Sequence, residues 1–245
     1  MAKKWMLITG GSRGIGQALV SHLLPEWNIV FTGRNEVGIA HTLDIAKSQS
    51  TSTWVKGFRC DGSDEASVAQ LATSLLDVHG APAAIIHNAG MTNDALHIHQ
   101  KARDWQEVLG NNLVAVVNWN RILLPAMMTQ GNGSIVFMSS VTAIKGNSGQ
   151  TAYAASKAAM IGLTHSLARE VGRFGIRVNC LAPGLIEGEM VQAIPEARLK
   201  AMRQNIPLRR LGRTQDVARA VAFLAGEGSS YLTGQTLVLD GGLSA

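Results

Sequence analysis

The chain has 245 residues, 46% of them hydrophobic and 16% charged, with 26 glycines, which excludes a disordered or fibrous protein and suits one α/β domain over 1–245. Its formal net charge of +5 comes without aromatic interleaving or a nucleic-acid motif, so no nucleic-acid partner is expected. No stretch reaches the ~18 apolar residues of a membrane span, and two cysteines cannot build a thiolate zinc site, so neither a membrane nor a metal is expected.

Near the start, Lys3 and Lys4 precede an apolar run that is too short for a signal-peptide core and ends in glycines, so it reads as a first strand. Further apolar runs follow, giving strands at 5–9, 29–32, 53–59, 83–87, 134–138, 177–181 and 236–239. Amphipathic stretches near 14–25, 36–50, 65–79, 104–130, 151–173 and 215–226 lie between them. This alternation predicts a Rossmann-type, doubly wound, seven-stranded parallel sheet with helices on both faces. Ligands on such sheets bind beyond the carboxyl ends of the strands. The least regular stretch, 184–214, holds Pro195 and Pro207 and reads as a substrate loop or lid. Arg198, Lys200, Arg203, Arg209, Arg210 and Arg213 cluster there, as a solvated face or as a docking surface for an acidic or phosphorylated partner. Cys60 and Cys180 stand 120 positions apart in apolar settings, which points to a reducing cytoplasm. His97 and His99, either side of Ile98, read as loop residues.

A glycine-rich turn, with Gly10, Ser12, Arg13, Gly14, Ile15 and Gly16, follows the first strand and opens the first helix. Glycine lets the backbone approach a pyrophosphate, and the helix N-terminus supplies N–H donors. An NAD site would place an acid at the end of the second strand. Here that strand ends Phe31-Thr32-Gly33-Arg34-Asn35, and Arg13 adds a second cation. Guanidinium groups suit a 2′-phosphate, so the expected cofactor is NADPH/NADP. Asp61, beside Gly62, is placed to accept from the adenine amino group. Asn88, Ala89 and Gly90 follow the fourth strand as a close backbone approach.

Tyr153 and Lys157 are four residues apart, which puts both side chains on one helix face, about 5–6 Å apart at Cβ. An ammonium beside a phenol favours the phenolate. Bringing the phenol from ~10 to ~7 would need about 4 kcal/mol. Ser139 and Ser140 end the fifth strand, where neighbours point to opposite faces, so only one can serve the same site.

With these residues in place the chain resembles the short-chain dehydrogenase/reductase family over essentially its whole length. The resemblance rests on the glycine-rich turn, Asn88-Ala89-Gly90, Asn112, Ser140 thirteen residues before Tyr153, Lys157 and Pro183-Gly184. Within the family it is most similar to the 3-oxoacyl-[acyl-carrier-protein] reductases, through 89–94, 146–150, 205–242 and Asp240-Gly241-Gly242. The resemblance implies that Tyr153 protonates the carbonyl oxygen as hydride arrives from the nicotinamide. It implies that Lys157 lowers the Tyr153 pKa and holds the nicotinamide ribose, and that Ser140 steadies the oxyanion. Asn112 is implied to hold a water that replenishes the proton. Pro183, Gly184 and Ile186 are implied at the nicotinamide end of the cofactor.

The implied function is NADPH-dependent reduction of a 3-oxoacyl thioester on acyl carrier protein, in fatty-acid or polyketide/polyene-type synthesis, by a homotetramer. Alternatives are a reductase of a free ketone or alcohol (sugar, steroid or another small carbonyl) and a non-catalytic dinucleotide-binding scaffold or sensor. There are three departures from the family pattern. Gly188 stands where these reductases carry Thr, and His87 replaces a commoner Asn. The two arginines expected to dock the carrier fall instead in Gly131-Asn132-Gly133 and at Phe174, beside Arg173.

Overall fold

A computed structural model describes residues 4–49, 51–188, 191 and 196–245. Its strands are β1 (Trp5–Ile8), β2 (Asn28–Gly33), β3 (Val55–Arg59), β4 (Ala84–His87), β5 (Gly133–Met138), β6 (Ile176–Pro183) and β7 (Thr236–Leu239). They form one sheet in the order β3-β2-β1-β4-β5-β6-β7, and every neighbouring pair is parallel. The chain winds outward from β1 to β3, returns beside β1 as β4, and continues the other way. The strand order therefore reverses between β1 and β4, where such sheets leave a crevice.

Alternation along the strands explains the two cores. On β1, Leu7 faces one side, with Val30, Ile85, Trp119, Leu123 and Met160. Met6 and Ile8 face the other, with Ile29, Phe31, Ile86, Val217 and Val221. The first face is covered by α3 (Glu65–His79), α5 (Ala115–Gln130) and α7 (Thr151–Val171), and the second by α1 (Gly14–Leu23), α2 (Glu36–Lys47) and α9 (Thr214–Ala225). Because both faces are covered, the inner strands carry unbroken apolar runs rather than alternating ones. Two helix starts are fixed by side chains. Asn35 accepts from Gly38 N, and Asp64 accepts from Ala66 N and Ser67 N.

Two elements differ from the sequence pattern. The stretch expected as one helix over 104–130 is α4 (Ala102–Leu109), a π-helical turn (Gly110–Val114) and α5. The supposedly irregular 184–214 segment contains α8 (Glu196–Gln204) and a small apolar cluster of Val191, Leu199, Ile206 and Leu211. A short helix, α6 (Thr142–Lys145), precedes α7. Among the described residues no helix is long and apolar enough to cross a membrane.

His87 closes β4. It is buried, its Nε2 lies 2.8 Å from Asn120 Oδ1, and its ring stacks on Phe137. Burial pushes its pKa down to about 4, although the Asn120 bond opposes the shift. An unfolded histidine takes up its proton near ~6.5, so between that value and about 4 the unfolded state binds more protons. Stability therefore falls as pH drops through this window, by about 3 kcal/mol in total. Urea denaturation across the window should show this loss, and His87→Asn should flatten it; an unchanged pH dependence in the variant would remove His87 from the account.

Candidate active site

The site is built where β1 and β4 end side by side. Thr9 Oγ1 accepts from Asn88 N at 3.1 Å and from Ala89 N at 3.0 Å. The Asn88 amide donates to Thr9 O and Gly10 O, both at 3.1 Å. Asn88 thus binds the glycine turn to β4, with both amide hydrogens engaged. Gly10 has φ +68, and a Cβ there would stand 2.8 Å from Ala89 Cα, while a Cβ on Gly16 would meet Gly10 O at 2.0 Å. Gly14 has φ +54 and open space where a side chain would be. The first turn of α1 therefore presents bare backbone beside a gap, which fits a diphosphate. Ser12 packs against Gly33, where a Cβ would lie 2.6 Å from its hydroxyl, and Arg13 is the extended residue before α1.

Arg34 follows β2. Its Nη1 donates to Asn111 Oδ1 at 3.1 Å and lies 4.0 Å from Asp61 Oδ2. The other Asp61 oxygen accepts from Ser63 N and Ser63 Oγ. Gly62 packs against Ala115 of α5, and its carbonyl accepts from Asn118. With a cation rather than an acid at this strand end, the residues fit a nucleotide bearing a 2′-phosphate.

The reacting groups come from β5, α7 and the π-helical turn. Lys157 is buried, and its Nζ donates to Met138 O at 2.7 Å. Ser139 Oγ donates to the carbonyl of Lys157 at 2.7 Å, so its hydroxyl is held within the protein. Ser140 points the other way, accepts from Thr142 N at 3.1 Å, and stands close enough to the Tyr153 phenol to act on its pKa. Asn112, also buried, donates to Met91 O and Ser156 Oγ and accepts from Met91 N at 2.8 Å. Gly90 lies against the Lys157 ammonium and Asn112 Oδ1, which a Cβ there would meet at 3.2 and 3.3 Å. Pro183 O accepts from Val141 N, and Gly184 N donates to Leu239 O. Ile186 pairs with Gly212 in an isolated bridge.

A family model described as enoyl-(acyl carrier protein) reductase matches residues 10–244. A 3-oxoacyl-[acyl-carrier-protein] reductase of Thermotoga maritima is 38% identical over 240 residues, spanning 98% of this chain and 97% of that protein. Proteins of the same name from Pseudomonas aeruginosa and Escherichia coli are 37% and 36% identical over 241 residues, with the same coverage. The chain belongs to the short-chain dehydrogenase/reductase family. It shares with that family a single α/β domain and oxidoreductase chemistry.

Within this family site, one expectation needs correcting. The net shift of the Tyr153 pKa is upward, not downward. Burial raises the phenol above its ordinary value, the neighbouring Ser140 hydroxyl offsets part of that, and the Asp94 carboxylate raises it further. The lysine Nζ is 5.8 Å from the phenol ring centre and is turned to Met138 O. Helical spacing fixes Cβ positions, not where a long side chain ends. Lys157 itself falls to about 8 because it is desolvated.

Sequence reasoning passed over Asp94, Gln150 and Asn111. Gln150 precedes α7, donates to Asp94 Oδ2 at 2.8 Å and accepts from Asn147. It thereby fastens the loop after Gly90 to the helix that carries Tyr153. A polar residue just before a helix was the available signal. Of the remaining expectations, Gly188 is described, whereas Glu189, Met190, Pro195 and the Arg198 side chain lie outside the described residues. Arg203 pairs with Glu196, Arg210 pairs with Asp216, and Arg173 lies over the Phe174 ring.

The two serines separate in a direct test. Ser140→Ala should lower the turnover rate by about 10²-fold with little loss of stability, as for a lost oxyanion donor. Ser139→Ala should lower the melting temperature, by about 1 kcal/mol of stability, with a smaller effect on rate. Steady-state kinetics and thermal melts on both variants check this, and the reverse pattern would exchange their roles.

Proposed function

We propose that the protein reduces 3-oxoacyl thioesters carried on acyl carrier protein to the 3-hydroxyacyl thioesters, using NADPH. The observation that carries the reading is the grouping of the Ser140 and Tyr153 hydroxyls with a buried lysine whose Nζ is 5.8 Å from the phenol ring centre, in a chain similar throughout its length to reductases of that name. The arginine after β2 supports the choice of NADPH.

When bound, the nicotinamide supplies the hydride. Ser140 and Tyr153 both direct hydroxyls at the ketone oxygen, and Tyr153 gives up its proton as negative charge gathers there. A phenol held above its ordinary pKa is fully protonated at neutral pH, as an acid must be. The Lys157 ammonium stabilises the phenolate left behind. Of its three N–H groups one is given to Met138 O, leaving two for the ribose hydroxyls. Both amide hydrogens of Asn112 are engaged. It can therefore hold a water only through the second lone pair of Oδ1, which faces the Lys157 region across Gly90.

The 184–214 segment serves as the substrate lid, and the active form is a homotetramer in the cytoplasm. Of the face Ala154, Ala158, Ile161, His165 and Ala168 on α7, Ala158 and His165 are exposed in the single chain and Ala154 and Ile161 half-buried, which suits a second helix, whereas Ala168 is buried in the core. The pathway is fatty-acid synthesis, or a dedicated polyketide or polyene route. A second reading comes from the description of the matching family model, enoyl reduction. There the developing charge sits on the thioester oxygen instead of the ketone, and the paired hydroxyls could face either.

NADPH consumption with acetoacetyl and crotonyl thioesters, each on coenzyme A and on carrier protein, and with free ketones decides among these. Turnover of acetoacetyl-carrier protein is expected; reaction with crotonyl thioesters alone, or with free ketones alone, would overturn the reading. Tyr153→Phe should cost at least about 10²-fold in rate while NADPH still binds, and near-normal turnover would remove Tyr153 as the acid.

The pH profile gives a third check. The competent form holds protons on both Tyr153 and Lys157, and Lys157 releases its proton first, near about 8. The kcat/KM for ketone reduction should be level through neutral pH and fall as pH rises through that value. A profile level to about pH 10, the ordinary range of a phenol, would show that the lysine charge is not required.

A further inference from the structure

Asn111 and Asn112 are adjacent in sequence yet serve different places. Asn112 turns inward to Met91 and Ser156, whereas Asn111 turns outward to the guanidinium of Arg34, 77 positions away. Its orientation is set from behind. Asn111 Nδ2 donates to Glu107 O at 2.9 Å, which leaves Oδ1 as the outward acceptor. Arg34 Nη1 is held by that oxygen at 3.1 Å, with Asp61 Oδ2 4.0 Å away. A guanidinium carries five N–H donors in a planar fork, so this contact leaves Nε and Nη2 available for another acceptor. The neighbouring cation Arg59, level with Gly33 across β2 and β3, is paired with Glu36 at 3.3 Å.

We propose that Asn111 is a specificity-determining residue for the nucleotide, acting as a positioning residue that holds one nitrogen of Arg34 so that the rest of its fork meets the 2′-phosphate of NADPH. The proposal rests on the NADPH reading above. An arginine with 56% of its side chain exposed otherwise samples many rotamers, and ordering it on binding opposes affinity; a contact already in place removes part of that cost. The benefit reaches only ligands that use Arg34.

The experiment measures dissociation constants of NADPH, NADH, 2′,5′-ADP and 5′-AMP by titration calorimetry for the native protein, Asn111→Ala, Arg34→Ala and the double variant. Asn111→Ala should weaken NADPH and 2′,5′-ADP roughly 3- to 10-fold, the range of one modest hydrogen bond. It should leave NADH and 5′-AMP unchanged, which also shows that the variant is folded. In the Arg34→Ala background the same substitution should have no further effect, because the two residues act as one unit. Equal weakening of all four ligands, or an undiminished effect without Arg34, overturns the proposal while leaving the NADPH reading intact. If Arg34→Ala itself does not alter the preference for the phosphorylated ligands, the NADPH reading and the proposal fall together.

Discussion

A positive charge buried beneath the active-site cleft is the constraint around which the catalytic half of the molecule is arranged. Lys157 keeps only 5% of its surface accessible, and moving an ammonium out of water costs several kcal/mol even after relaxation. The fold surrounds it with groups from β5, from the end of β4 and from the π-helical turn. Met138 of β5 gives a carbonyl to Nζ. Ser139, next along, ties the backbone carbonyl of Lys157 itself. The Gly90 backbone comes close from the end of β4 because no side chain intervenes, and Asn112 closes the fourth side from the π-helical turn. The remaining penalty is visible in a lysine pKa of about 8. A group so poised is charged in neutral solution yet weakly solvated, which makes it receptive to a phenolate or to ribose hydroxyls.

That arrangement depends on the sheet reversing between β1 and β4. Asn88 gives both hydrogens of its side-chain NH2 group to Thr9 and Gly10, so it fixes the glycine turn relative to β4 and, through Gly90, relative to Lys157. It was grouped with the cofactor residues because it lies in the motif, and its hydrogen bonds are those of a brace. The same distinction applies to Gly10 and Gly16, where the crowding comes from neighbouring backbone. Gly14 alone among the three stands beside open space. Motif residues thus divide into those that shape the cradle and those that line it, and a sequence pattern does not separate the two.

Most of the fold was legible because parallel strands buried on both faces carry unbroken apolar runs, and every one of the seven was found within about two residues. The π-helical turn was not legible. Gly110-Asn111-Asn112-Leu113-Val114 carries no helix-breaking proline, and the widening depends on what Asn112 reaches inside the fold. The helix α8 was hidden because its segment is bounded by prolines and rich in charge, with Leu199 as its one apolar residue in the small cluster with Val191, Ile206 and Leu211. At the site, residue identity and spacing located the chemistry, but the direction of the Tyr153 shift depended on competition among burial, Ser140 and Asp94. Only coordinates rank those effects.

The π-helical turn also explains how one short segment reaches both Arg34 and the surroundings of Lys157. In a regular helix successive residues are separated by about 100° around the axis, and a π turn alters that phase locally, a device that recurs at functional sites. Here Asn112 is buried among Met91 and Ser156, while Asn111 stays at the surface against Arg34. The cation beyond β2 and the amide beside Lys157 are therefore held by consecutive residues of one rigid turn. The surroundings of Arg34 and of Lys157 share a common support, so a change that relaxes the turn would be felt at both.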